Sequence, residues 1–274
     1  MTLKAIIEKL RFMANGLSYL GLWNTMYLNF VCFPFSVAIR FPVLVGKRVT
    51  MQGIHKGCIA LEGQRWRAFR YKTTIGISPY PMMANKGSYT LLRFMPNAKL
   101  QLGKSISIGS GSSIIVMYNG KLLIEDNVVI NQHCLLYCAQ KVTIGKCVRI
   151  GWQCQIYDSD FHFIFREQDC TIRNNIKPIT IGHNVWLANN VSVTKGAYIP
   201  AFSIVASRSL MNKDFSDVKE RGVFFAGQPA QKKSKVGLRI INELEQNKLF
   251  NYFASSGEEQ INVLPEDTWF TNRY

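Results

Sequence analysis

An aliphatic residue at every sixth position governs residues 181–214: Ile181, Leu187, Val193, Ile199 and Val205, with Met211 closing the run. Four positions after each of the first five stands a small or β-branched residue, Val185, Val191, Ala197, Ser203 and Ser209. A period of six fits neither the helical repeat of about 3.6 nor the two-residue repeat of a strand, and a sustained fixed period marks a repeat architecture. Six residues make one short strand and a corner, so three hexads make one triangular coil of a parallel β-helix. The aliphatic residues fill the prism's interior. The expected fold class is all-β, a parallel β-helix with helical extensions at both ends.

The same spacing is already present upstream, in the triplets Leu102, Ile108, Ile114; Ile124, Ile130, Leu136; and Ile144, Ile150, Ile156. Gly103, Gly109, Gly145, Gly151 and Gly182 follow aliphatic residues, where corners are expected to need a permissive backbone. Residues 43–98 are β-rich but irregular and read as lead-in strands with an imperfect first coil. The step from 114 to 124, from 136 to 144 and from 156 to 181 exceeds six each time, always after the third hexad of a triplet. All three insertions therefore emerge at one corner of the prism. The longest has the size of a loop that carries function.

Composition narrows the class. Hydrophobic content of 47 % in 274 residues suits one large domain with extensions, and a mean hydropathy of +0.01 excludes a polytopic membrane protein. The seven cysteines form no CxxC pair, and Cys134 and Cys154 occupy the small-residue slot of the repeat. That usage points to reduced thiols and a cytoplasmic protein. A net charge of +16 calls for an anionic partner: a phosphate-bearing cofactor, anionic lipid or anionic sugar. No nucleic-acid-binding motif is present, so nucleic acid is not the expected partner.

Residues 1–42 form an N-terminal apolar segment in which Lys4, Lys9 and Arg11 precede a stretch without charge up to Arg40. Asn15, Gly16, Asn24, Asn29 and Pro34 interrupt it, unlike a signal peptide or membrane span. At helical spacing Tyr19, Leu22, Trp23, Met26, Tyr27 and Phe30 share one face, opposite Ser18, Gly21, Thr25 and Asn29. Such a helix either packs on the open end of the prism or lies in a membrane interface through residues 17–31. The β-helix is expected over residues 43–214, with its loop at 161–178. Residues 215–274 then supply a turn, a basic cluster and a helix around 236–254, ending in a tail with Pro265 and Trp269.

Hexads, DSDFH at 158–162, PITIGHNVWLANN at 178–190 and FFAGQPA at 224–230 occur in an order that resembles the left-handed β-helix hexapeptide-repeat O-acetyltransferases, the galactoside, maltose and polysaccharide acetyltransferase branch. The resemblance covers about residues 100–235 and implies the left hand, acetyl-CoA as donor, no metal, a saccharide hydroxyl as acceptor and a homotrimer. The acceptor expected is a capsule, exopolysaccharide or lipopolysaccharide sugar, lipid-linked in a pathway at the inner membrane face.

His162, 24 residues before Trp186, matches the spacing of the family's catalytic histidine and its tryptophan. The resemblance makes it the general base on the acceptor hydroxyl, a role for which imidazole titrates in the right range. Asp158 and Asp160 stand close enough in sequence to orient the ring, although Asp160 equally suits a corner cap. The resemblance assigns acceptor binding to Asn131 and Trp186, and acetyl-CoA contacts to Asn189, Ser207, Asn212 and Lys213. Gln231 stands where a phosphate-binding arginine can occur, and Lys232 and Lys233 are candidates to replace its charge. An antibiotic acetyltransferase of the streptogramin or chloramphenicol type and a non-catalytic trimeric scaffold are the alternative readings. A γ-class carbonic anhydrase needs three zinc-binding histidines, a spacing the four histidines of this chain lack.

Overall fold

The computed structural model describes residues 19–62, 72–78, 87–240 and 243–261. Lys4, Lys9 and Arg11 with the start of the N-terminal segment, and the tail with Pro265 and Trp269, lie outside the described residues.

Parallel strands stack into three sheets that form the faces of a prism. The first face carries Val43–Val45, Thr73–Ile75, Ser107–Ile108, Val129–Ile130, Arg149–Ile150, Trp186–Leu187 and Ile204–Val205 in that order. The second carries Val49–Gln52, Thr90–Phe94, Ser113–Val116, Leu135–Cys138, Gln155–Tyr157, Ser192–Thr194 and Leu210–Met211. The third carries Ile59–Leu61, Lys99–Leu102, Lys121–Ile124, Lys141–Ile144, Ile179–Ile181 and Tyr198–Ile199. Each pass visits the faces in this order, so regular coiling begins at Val43. The described strands between residues 43 and 98 are therefore part of the stack itself rather than a lead-in.

The register explains why a hexad suffices. Ile108, Ile130, Ile150, Leu187 and Val205 lie directly above one another on the first face. Leu92, Ile114, Leu136, Ile156, Val193 and Met211 do so on the second, and Leu102, Ile124, Ile144, Ile181 and Ile199 on the third. None of these side chains is more than 1 % exposed. Burial of each contributes about 1.5–3 kcal/mol, and coils stack at the spacing of hydrogen-bonded strands, about 4.7–4.9 Å. Cys134 and Cys154 are buried beside these ladders, and all seven cysteines are unbridged.

The glycines after the aliphatic residues have a different reason from the one expected. None of Gly103, Gly109, Gly145, Gly151 and Gly182 adopts a positive φ; that conformation falls two residues later, at Ser105, Gly111, Cys147, Gln153 and Asn184. The glycines are instead overlain by the next coil. A Cβ on Gly145 would lie 2.7 Å from the His183 nitrogen, and one on Gly182 2.5 Å from the Ala201 nitrogen.

Helix α1 (Leu22–Cys32) closes the first coil, followed by the short α2 (Phe35–Ala38). Its polar face turns inward. Val45 donates its amide to Thr25 Oγ1 (2.9 Å), and Asn29 Nδ2 donates to the Val43 carbonyl (2.6 Å) while its Oδ1 accepts from the Val43 amide (3.3 Å). Leu28 and Cys32 fill the space beneath. The aromatic face points to solvent, with Trp23 82 % and Tyr27 51 % exposed. At the other end Val223–Gly227 joins the first face beside Ile204–Val205 and pairs antiparallel with Ala230–Lys235. Helix α3 (Glu243–Ser256) follows. Among the described residues no helix is long and apolar enough to cross a membrane.

Candidate active site

The three insertions leave from the corner between the second and third faces, as the spacing requires: at 117–120, at 139–140, and at 158–178. The long one begins on a fixed footing. Asp158 is fully buried, and its carboxylate accepts the amides of Ala139 (2.6 Å), Gln140 (2.8 Å) and Lys141 (2.8 Å) on the preceding coil. Its charge adds to burial in pushing the Tyr137 hydroxyl above the usual tyrosine range. Two residues on, the Asp160 amide donates to the Asn175 carbonyl (2.8 Å), closing the base of the loop. Phe161 takes a left-handed backbone (φ +62°), a conformation that costs a bulky residue energy. Its ring packs against Tyr137 (4.8 Å) and Tyr157 (5.8 Å), which fixes the departure of the chain and leaves His162 facing outward.

Beyond Phe161 the loop folds into a short antiparallel hairpin, Phe165–Arg166 with Thr171–Ile172. Between hairpin and prism lies a cavity of about 160 Å³ lined by Asp160, His162, Ile164, Arg166, Arg173, Asn175 and Lys195. Lys195 comes from the same corner of the next coil. Its ammonium pairs with the Asp160 carboxylate (2.5 Å) and donates to the Asn174 carbonyl (3.3 Å). The His162 imidazole is exposed and has no hydrogen-bond partner among the described residues.

The expected pairing of a carboxylate with that imidazole is not what the chain makes. Asp158 is the corner cap, taken up by three amides, and Asp160 is held by Lys195. Neither orients the ring within one chain. The reason is local: the corner leaves three amides unpaired, and an acceptor-only side chain at 158 satisfies all of them.

Five of the remaining site residues divide between two corners. Asn212 and Lys213 follow the second-face strand Leu210–Met211 and share the corner of His162, exposed. Asn131, Asn189 and Ser207 follow first-face strands and line the corner between first and second faces. Asn131 donates to the Ile150 carbonyl (3.0 Å) and leaves its Oδ1 without a partner, whereas Asn189 Oδ1 accepts the Trp152 amide (3.3 Å). Trp186 stands on the first face, 40 % exposed. Lys232 and Lys233 lie on the last strand, and Lys232 pairs with Glu220. A single chain thus does not bring Asn131 or Asn189 to His162; the width of the second face separates them. Lys195, Asn175, Arg166 and Arg173 escaped the sequence reading. Only Lys195 carried a signal, since it follows a second-face strand at the corner from which the loop leaves.

The chain is a triangular parallel β-helix built from hexapeptide repeats, with a histidine-bearing loop at one corner. No family model matches the chain. It is 27 % identical over 144 residues to an Escherichia coli K12 protein named for O-acetyl transfer in lipopolysaccharide biosynthesis, a match covering 49 % of this chain and 71 % of that one. It is 30 % identical over 114 residues to a Saccharomyces cerevisiae protein named as an acetyltransferase, covering 42 % of this chain and 56 % of that one. Among solved structures, the polysialic acid O-acetyltransferase OatWY shares the fold with a TM-score of 0.53 at 18 % identity, over 77 % of this chain and 94 % of that one. The chain is thus similar in sequence to proteins named as acetyltransferases and shares the parallel β-helix fold of OatWY.

Proposed function

We propose that this protein moves an acetyl group from acetyl-CoA to a hydroxyl of a saccharide in surface-polysaccharide synthesis, with His162 as general base. The carrying observation is the exposed, unpartnered imidazole beside a cavity in which the Asp160 carboxylate is already taken up by Lys195. The Escherichia coli relative supports the saccharide acceptor through the process for which it is named. In the reaction the imidazole takes the hydroxyl proton as that oxygen attacks the thioester carbonyl. The tetrahedral intermediate then collapses, the C–S bond breaks, and the departing CoA thiolate recovers the proton from the imidazolium. No acyl-enzyme forms.

Asn131 and Trp186 are assigned to the acceptor. Asn189, Ser207, Asn212 and Lys213 are assigned to the pantetheine arm and nucleotide, and Lys232 and Lys233 to the phosphates. Because Asn131, Asn189 and Ser207 sit on one corner and His162, Asn212 and Lys213 on another, the working site is shared between neighbouring chains of a homotrimer. The protein works in the cytoplasm, held peripherally at the membrane by the outward face of α1, where a lipid-linked acceptor is presented. The exposed Trp23 and Tyr27 with Lys47 beside them suit an anionic lipid interface.

His162→Ala tests the reading. General-base catalysis contributes about 10²–10⁴-fold, so acetyl transfer should fall by about 10²-fold or more. The melting temperature should stay within about a degree, since an exposed side chain with no partner leaves no cavity. His55, whose exposed ring bonds the Gly53 carbonyl, is the control and should lose little on substitution by alanine. His162→Ala protein that keeps more than about a third of wild-type turnover contradicts a general base at this position.

A further inference from the structure

The cavity beside His162 is cationic, and its charges are not matched. Arg166, Arg173 and Lys195 line it against one carboxylate, Asp160, which already holds Lys195. Arg166 makes only a loose pair with Asp169 (3.5 Å), both side chains being partly solvent-exposed. Arg173 has no carboxylate partner among the described residues. At the floor stands Asn175, 7 % exposed, whose Oδ1 has no hydrogen-bond donor. A buried carbonyl oxygen left without a donor is costly, so this one is set for a donor from outside the chain. Ile164 supplies an apolar wall. Drug-sized pockets run to about 300–1,000 Å³, and this one, at about 160 Å³, has room for a single ring.

We infer that this cavity binds one anionic sugar residue of the acceptor, its carboxylate or phosphate set against Arg173 and Arg166 and a hydroxyl donating to Asn175 Oδ1. The inference rests on the proposed acetyl transfer and names the class of acceptor that His162 serves. Planar guanidinium groups recognise carboxylate and phosphate oxygens in pairs, while Lys195, tied to Asp160, keeps the floor in place. A neutral sugar would leave the Arg173 guanidinium without an anion among the described residues.

Calorimetry on the full chain, without acetyl-CoA, tests this with two matched pairs: an oligogalacturonate against its methyl ester, and glucose 6-phosphate against glucose. The charged member of one pair should bind about tenfold or more tightly than its neutral counterpart, the worth of one charge-assisted contact. The pair that shows the preference identifies carboxylate or phosphate as the group recognised. Arg173→Gln should remove most of the preference without changing the neutral ligand's affinity, and Arg166→Gln should reduce it. Equal binding within both pairs, or a preference that Arg173→Gln leaves intact, overturns the inference. His162→Ala should keep the preference while losing transfer, so failure of the base assignment and failure of the anion site give different results.

Discussion

Two neighbouring residues of one motif do opposite work. Asp158 and His162 are four positions apart, and both read from the sequence as parts of one catalytic unit. Asp158 is buried under a corner and bonded to three amides, while His162 faces solvent with no partner among the described residues. A spacing to Trp186 singles out His162 in the sequence. The task of Asp158 was not legible, because nothing in a sequence tells which amides a corner leaves unpaired. The two substitutions should therefore separate stability from chemistry. Asp158→Asn keeps the size of the side chain but turns a donor toward amides that need acceptors. Hydrogen bonds to a charged group contribute about 1.5–3 kcal/mol each, so a loss of about 2–4 kcal/mol is expected. At about 2–4 °C per kcal/mol for a chain of this order, thermal denaturation should show a drop near 10 °C, which His162→Ala should not. An unchanged melting temperature for Asp158→Asn would contradict the cap.

At the scale of the element, periodicity separates the two faces of α1 correctly but leaves open which of them meets the prism. The first strand of the first face, however, presents unpaired amides and carbonyls, as any sheet edge does. Only polar side chains answer that need, so Thr25 and Asn29 go in and Trp23, Met26, Tyr27 and Phe30 go out. The corner glycines have the same lesson: their positions were legible, but the cause is the overlying coil rather than the local turn. Replacing Trp23, Tyr27 and Phe30 together with serine should abolish flotation with phosphatidylglycerol vesicles and leave the melting temperature nearly unchanged. Asn29→Leu should do the reverse, lowering stability by about 2–4 kcal/mol through the unpaired Val43 groups and sparing vesicle binding. Intact protein that does not float removes the membrane role of this face.

For the whole molecule, the fold was legible because a repeat writes the same rule at every coil: one aliphatic residue, one ladder, one face. Assembly is written less plainly, since a surface that joins two chains needs no period. Two features support the proposed assembly with a second copy. The hairpin of the long loop holds Phe163, Ile164, Phe165 and Ile172 more than half exposed, an apolar cluster that water alone does not suit. Asn131 and Asn189 stand across the second face from His162. A homotrimer in which the His162 corner of one chain meets the Asn131 corner of the next covers the first and completes the second. Light scattering should then give roughly 94 kDa, three times the 31.2 kDa chain. Complementation is the stricter measurement. His162→Ala and Asn131→Ala proteins should each be nearly inactive as homotrimers. After co-refolding in equal amounts, a shared site is whole when its histidine comes from one variant and its asparagine from the other. Random assembly makes that one half times one half, so the mixture as a whole should recover about a quarter of wild-type activity. A mixture no more active than its components, or a fully active monomer, would show that each chain holds its own site.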